Sequence, residues 1–305
     1  MKWVKKGLVY SPGGAGGWAH NSALQPTPYL TPENTIRVYV GMRDEAGVSR
    51  VGYVEVSADD PSEVVRVSER PVLDIGTPGA FDENGVVPCA VGLRADGALY
   101  LFYAGYQLGQ KVRFFVFGGL ATSRDGGETF ERFERVPVCD RTDDELLFRV
   151  IHTMMYADGK WKAWYGGGSE FEIDADSKQY PSYNIRYAES PDGIHLSRDY
   201  TVCLDTAGEE YRVGRPYVIK DGGIYKMFYG SSTKAEGYRL AYAESPDGIN
   251  WTRRDEEVGI DVSESGWDSR MQGYPAVVSH KGKTYMFYNG NDYGREGFGY
   301  AELER

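Results

Sequence analysis

Arg239–Arg253 reads RLAYAESPDGINWTR, and Arg186–Arg198 reads RYAESPDGIHLSR, nearly the same phrase 55 residues earlier. A third, looser copy, LATSRDG, occupies Leu120–Gly126. The run before each Asp-Gly pair suits a strand. The pair itself suits a tight turn, because glycine accepts positive φ and aspartate bonds nearby backbone amides. A phrase used three times points to a repeating architecture rather than a local duplication.

A second signature precedes the first, an aromatic strand ending in glycine. It reads Leu101–Gly105 (LFYAG), Ala163–Gly167 (AWYGG), Met227–Gly230 (MFYG) and Met286–Gly290 (MFYNG), with a weaker copy at Val38–Gly41 (VYVG). The copies are spaced 59–64 residues apart. Another apolar run ending in a turn lies upstream, as in Pro216–Gly222 and Pro275–Gly282. Each unit thus reads strand, turn, strand, long loop, strand, Asp-Gly turn, strand. The expectation is an all-β, five-bladed β-propeller with four antiparallel strands per blade, one domain over residues 1–305. A row of sandwich domains would need separate cores and linkers, and the sequence has neither. The fifth unit runs out after its third strand, Gly297–Glu302. Trp3–Tyr10 (WVKKGLVY) resembles the fourth strand beginning at Trp251, so the N-terminal strand is expected to close the last blade and remove an open edge. The quoted phrase is then the outer hairpin of a blade, a structural element.

The 305 residues are 41% hydrophobic and 14% aromatic, with 39 glycines and 24 tyrosines. That is enough apolar material for a large core built on short strands. A net charge of -11 argues against a nucleic-acid partner, whose phosphates call for a basic face. No run approaches the roughly 18 apolar residues of a membrane helix, and MKWVKKGLVY lacks the apolar core of a signal peptide. Three scattered cysteines, Cys89, Cys139 and Cys203, suit a reduced cytoplasmic protein. No metal or cofactor motif is visible.

In an up-and-down blade the segment entering the innermost strand lines the central cavity, joined there by the loop between the second and third strands. These positions carry His20, Asn21 and Gln25 in the first unit, Asp82 and Glu83 in the second, and Glu145, Arg149 and His152 in the third. The fourth supplies Glu210, Arg212 and Arg215; the fifth, Asp268, Arg270 and Tyr274. Loops add Arg43, Asp44, Tyr106, Glu170 and Asn291, and Trp18 offers a stacking surface for a sugar ring.

With these features the chain resembles the glycoside hydrolase family 43-like propellers, a superfamily that includes arabinanases, invertases, levansucrases and mannoside phosphorylases. The resemblance spans essentially the whole chain and implies a base or nucleophile Asp entering blade one, a second Asp at blade two and an acid Glu at blade three. Asp82 or Glu83 matches blade two. Blade one offers His20 and Asn21, with Asp44 on its loop; blade three offers Arg149, with Glu170 on its loop. A rival likeness, to sialidase propellers, rests on Ser123–Phe130 (SRDGGETF) and on three arginines, Arg149, Arg215 and Arg270, entering adjacent blades; sialidases, however, have six.

Two functions follow. In one, the protein is a glycosidase or transglycosylase whose paired carboxylates come from Asp82, Glu83, Glu170, Asp44 and Asp268. In the other, an altered propeller binds an anionic sugar or sugar phosphate through Arg149, Arg215 and Arg270, in polysaccharide or nucleotide-sugar metabolism. The contacts expected for the sugar are Trp18, His20, Asn21, Arg43, Arg149, His152, Arg212, Arg215, Arg270, Tyr274 and Asn291. Neither nucleic acid nor membrane is expected as a partner.

Overall fold

The structure is a computed structural model that describes residues 1–14 and 17–304. It is all-β with almost no helix. Strand β1 (Trp3–Tyr10) precedes β2 (Asn21–Leu30), β3 (Thr35–Arg43), β4 (Ser49–Ser57) and β5 (Val64–Val67), and β2 to β5 pair in sequence order as an antiparallel run. The same order recurs in β6 (Val86–Leu93), β7 (Leu99–Leu108), β8 (Phe114–Ser123) and β9 (Glu131–Arg132). It recurs again in β10 (Phe148–Ala157), β11 (Lys160–Ile173), β12 (Gln179–Ser190) and β13 (Thr201–Leu204), and in β14 (Glu210–Asp221), β15 (Ile224–Thr233), β16 (Arg239–Ser245) and β17 (Thr252–Arg253). Short parallel bridges, Phe148 to Val116 and Tyr183 to Arg212, join these three runs into one twelve-stranded sheet.

The last run is β18 (Gly273–His280), β19 (Lys283–Asn289) and β20 (Phe298–Leu303), and its outer partner is β1. Trp3 lies opposite Leu303 and Tyr10 opposite Phe298. The N-terminal strand therefore sits where the sequence placed it, covering the edge of β20.

The aromatic pair in each signature explains the packing. Adjacent strand residues point to opposite faces, so each pair feeds two hydrophobic layers at once. Tyr103 joins the cluster shared with Tyr39 and Tyr53 of the first run, while Phe102 joins the cluster shared with Ile151 and Tyr165 of the third. Trp164 packs with Met227 and Tyr229, and Phe228 with Tyr288. Phe287 then packs with Val38, Val40 and Val54, which brings the last run against the first.

The Ser-x-Asp-Gly phrase is a backbone cap. The Ser245 Oγ accepts the Gly248 amide at 2.8 Å, and Asp247 Oδ1 accepts the amides of Ile249 and Asn250, each at 2.8 Å. Ser190 and Asp192 repeat the arrangement. Burial pushes the Asp192 carboxyl up, but its hydrogen bonds outweigh that and hold it at about 2. The Gly248 carbonyl accepts Trp164 Nε1 at 2.7 Å, which pins the turn to the preceding run. No described helix is long and apolar enough to cross a membrane.

Candidate functional site: a cationic, tyrosine-rich cavity

The ladder between the first two strands of each of the five runs slips register. The register slips between Leu24 and Thr27 in β2, Pro88 and Ala90 in β6, Ile151 and Thr153 in β10, Gly214 and Tyr217 in β14, and Gly273 and Ala276 in β18. A bulge re-aims a side chain and frees a residue from the ladder. The residues at the slips include Gln25, Cys89, His152, Arg215 and Tyr274. Gln25, Arg215 and Tyr274 adopt left-handed φ of 52°, 58° and 59°, and each is followed by proline, which has no amide to pair in a ladder.

Arg215 reaches across from the fourth run to the first two. Its Nη1 donates to Gln25 Oε1 at 3.0 Å and to the carbonyls of Cys89 at 2.9 Å and Pro88 at 3.3 Å; its Nη2 donates to Thr27 Oγ1 at 3.0 Å and the Pro26 carbonyl at 3.3 Å. Arg215 is 4% exposed and has no carboxylate partner among the described residues. Burial lowers its pKa from the ordinary value. His152 is buried beside it, with Nδ1 unpartnered. Burial first, and the Arg215 charge second, hold its pKa well below the ordinary value, so it is neutral.

Above these residues opens a cavity of about 530 Å³. Gln25, His152, Arg215 and Tyr274 line it, with Arg43, Tyr106, Tyr183, Arg212 and Tyr238. Arg212 is 6% exposed and sits among four tyrosine rings, 4.3 Å from the centroid of Tyr238, 4.8 Å from Tyr211, 5.6 Å from Tyr293 and 5.9 Å from Tyr183. Such faces attract a cation through the ring quadrupole. Its Nη2 donates to the Tyr293 hydroxyl at 3.0 Å, but Nε has no partner and no carboxylate pairs with the guanidinium among the described residues. The Tyr183 and Tyr238 hydroxyls bond each other. Arg113, Lys178 and Lys234 stand around the lining as well.

Five of the residues read from the sequence as sugar contacts therefore meet in one place: Arg43, His152, Arg212, Arg215 and Tyr274. The expected carboxylates do not join them. Asp82 is buried against the Tyr103 hydroxyl at 3.0 Å and Arg132 Nε at 2.8 Å. Glu83 accepts the Gly79 amide at 2.7 Å. Asp44 is held by Arg50 at 2.8 Å and the Val48 amide at 2.9 Å; against the upward push of burial, these keep its carboxyl below the ordinary range. Asp268 is buried under Lys5 at 3.0 Å and the Tyr288 hydroxyl at 3.1 Å. Glu170 lies on β11, opposite Ser182 and outside the cavity lining. For Asp82, Glu83, Asp44 and Asp268 the cause is shared: turns and neighbouring strands supply donors nearer than the cavity.

The three-arginine cluster is also corrected. Arg149 forms an ion pair with Glu145 at 2.7 Å inside the core, and Arg186 lies 3.2 Å from the other Glu145 oxygen. The Arg270 side chain is 69% exposed and pairs with Asp292. Asn291 caps the backbone amides of Arg270 and Met271 at 2.7 and 3.1 Å. Trp18 donates to the Glu69 carbonyl at 3.2 Å, His20 lies 4.0 Å from Glu45, and Asn21 accepts from Ser22 at 2.7 Å; none of the three lines the cavity. The tyrosines Tyr183, Tyr238 and Tyr293 went unread, although the high tyrosine count was a signal for them.

No family model matches this sequence. The "Uncharacterized protein Rv1502" of Mycobacterium tuberculosis is 34% identical over 306 residues, covering all of both proteins. Among solved structures, one described as a BT0996 RGII complex superposes with a TM-score of 0.75 at 18% identity, over 99% of this protein and 92% of that one. A thermostable family-43 glycoside hydrolase gives 0.71 at 18%, over 97% and 93%. A GH130 structure, from work describing glycoside hydrolases that target β-1,2 mannosidic linkages in Candida mannan, gives 0.74 at 16%, over 99% and 93%. At these identities the likeness is one of fold, that of propeller-type glycoside hydrolases.

Proposed function

This protein belongs to the family of the uncharacterized Mycobacterium tuberculosis protein Rv1502, and on that footing we propose that it is a single-domain, five-bladed propeller that binds an anionic carbohydrate, a sugar phosphate or acidic sugar, in the Arg212–Arg215 cavity. The cyclic succession of hydrophobic layers, from the first run through the last and back, supports the blade count. The fold-level neighbours described as glycoside hydrolases and as an RGII complex support a carbohydrate as the ligand.

One observation carries the anionic part. Arg212 and Arg215 are buried at the cavity wall with no carboxylate among the described residues to compensate either. A desolvated, unpaired guanidinium is costly, and an incoming anion relieves that cost. Guanidinium forks suit carboxylate and phosphate oxygens. The protein carries a net charge of -11, yet among the described lining residues Glu236 is the sole carboxylate against Arg43, Arg113, Lys178, Arg212, Arg215 and Lys234. Low-dielectric walls of one sign concentrate field and draw in the opposite charge.

Hydrolysis by paired carboxylates needs two acids about 5–9.5 Å apart across the scissile bond. The five candidates are engaged elsewhere or lie outside the cavity, so binding is the reading this site supports over glycosidic cleavage. Calorimetry with glucose 1-phosphate, glucuronate and glucose tests it. The two anions are expected to bind and glucose not, and Arg212→Gln should weaken the anions at least about tenfold. Equal binding of glucose and the anions would overturn the proposal.

A further inference from the structure

The cavity is two-faced. Its two buried cations, Arg212 and Arg215, come from the fourth run, and the fourth and fifth runs add Tyr238 and Tyr274 beside them. The first three runs contribute Arg43, Arg113 and Lys178 as well, but also Leu24, Val87, Ala104, Val116, Phe148 and Val150, which line the same space and form one hydrophobic cluster. Each of these six is only 2–6% exposed, and the small surface their side chains keep as a wall toward the cavity is carbon. A bare sugar ring would waste that wall, since hydroxyls placed against aliphatic carbon lose their water without gaining a partner. An apolar substituent would gain from it, at roughly the transfer energy of each buried methyl.

Resting on the anion-binding reading above, we infer that the ligand is bipartite: an anionic sugar that also carries an apolar substituent, an acyl methyl or a deoxy carbon. The charged group meets Arg212 and the cationic side, and the substituent packs on the Val87, Val116 and Val150 wall. The wall thus sets specificity among anionic sugars, while the arginines set the requirement for charge.

The decisive measurement is a matched ligand series on the full-length protein. Glucose 1-phosphate is compared with N-acetylglucosamine 1-phosphate, glucuronate with its 2-acetamido counterpart, and N-acetylglucosamine serves as the uncharged control. The acetamido member of at least one anionic pair is expected to bind about fivefold or more tighter than its partner, and the pair that does so tells phosphate from carboxylate. N-acetylglucosamine should bind far more weakly than either acetamido anion. Val116→Thr and Val150→Thr, which put a hydroxyl on the wall, should shrink the ratio of acetamido to parent affinity within that pair. If both pairs bind with equal affinity within each pair, the bipartite inference falls and anion binding stands. If no anion binds, the proposed function falls first. The ligand comparison on the unaltered protein decides the matter even if a threonine variant misfolds.

Discussion

Arg215 donates to the side-chain oxygen of Gln25 at 3.0 Å, joining residues 190 positions apart. It makes four further hydrogen bonds to the first two runs. Arg212, three residues away on the same strand, donates a side-chain hydrogen bond to Tyr293 alone among the described residues. The two buried cations thus do different work: one ties the first two runs together through both its Nη atoms, with its Nε unpartnered, and the other makes a single side-chain hydrogen bond.

Substitution by methionine should therefore separate them. Arg215→Met orphans the acceptors it now serves, and urea unfolding is expected to show a loss of roughly 3–5 kcal/mol. Arg212→Met removes a buried charge that lacks a counter-ion, so stability should stay within about 1 kcal/mol or rise, while anion affinity disappears. Equal destabilisation by both would contradict this division.

Asp268 ties the N-terminal strand to the body through Lys5 and also accepts from Tyr288 and Gln272. Deleting residues 1–10 should bare the edge of β20 and produce concentration-dependent aggregation. Asp268→Ala should lower the melting temperature by several degrees. Burial raises the Asp268 carboxyl, but its hydrogen bonds and Lys5 prevail and lower it overall. Its contribution is therefore present above the ordinary carboxylate range and is lost as pH falls through the lowered value. Light scattering and thermal melts of the truncated protein check the first point.

Glu145 is fully buried between Arg149 and Arg186. Glu145→Gln leaves two guanidiniums short of charge in the core and should cost about 3–5 kcal/mol. In the surviving folded fraction ligand affinity should be unchanged, because none of the three lines the cavity. A large loss of affinity with little loss of stability would return Arg149 to the binding site.

His152 stays neutral in the folded protein, while the unfolded state protonates it below a pH of about 6.5. The unfolded state then binds more protons, so stability should fall by up to about 1.4 kcal/mol per pH unit below that point and be fully present above it. Carboxylates contribute a slope of their own only at lower pH. Denaturant titrations at pH values of about 7.5 and 5.5, either side of the unfolded pKa, should show the drop in the parent protein and a smaller one in His152→Gln. Identical drops would mean that His152 is protonated in the fold.

The repeated phrases made the strand pairing legible, down to Trp3–Tyr10 beside the C-terminal strand. Their information is local: Ser245, Asp247 and Gly248 satisfy one another within four positions. The cavity was half legible. Arg212, Arg215 and His152 could be read from the segments entering the inner strands, because no other feature explains a charge there. The carboxylates misled because charge near a strand start says nothing about which way the side chain turns. Asp82 turns to Tyr103 and Arg132 rather than inward, and that choice depends on donors 21 and 50 positions away. The bulges were nearly invisible, although proline after Gln25, Arg215 and Tyr274 marks three of them. The apolar wall could not be told from ordinary core until the cavity in front of it was known.

Strand β1 also has a consequence for biosynthesis. It leaves the ribosome long before β20, with which it pairs from Trp3 opposite Leu303 onward. At ribosomal speeds of about 5–20 residues per second, the wait is roughly 15–60 s. During that interval the strand has no ladder partner, and Val4, Lys6 and Leu8 face solvent even in the finished protein. Lys5 and Lys6 give it the charge that discourages pairing with the wrong edge. The last sheet to be completed is thus the one whose first strand is already waiting, and a nascent polypeptide stalled before Phe298 would display β1 and the edge of β19 together, a docking point for chaperones that the mature protein no longer shows.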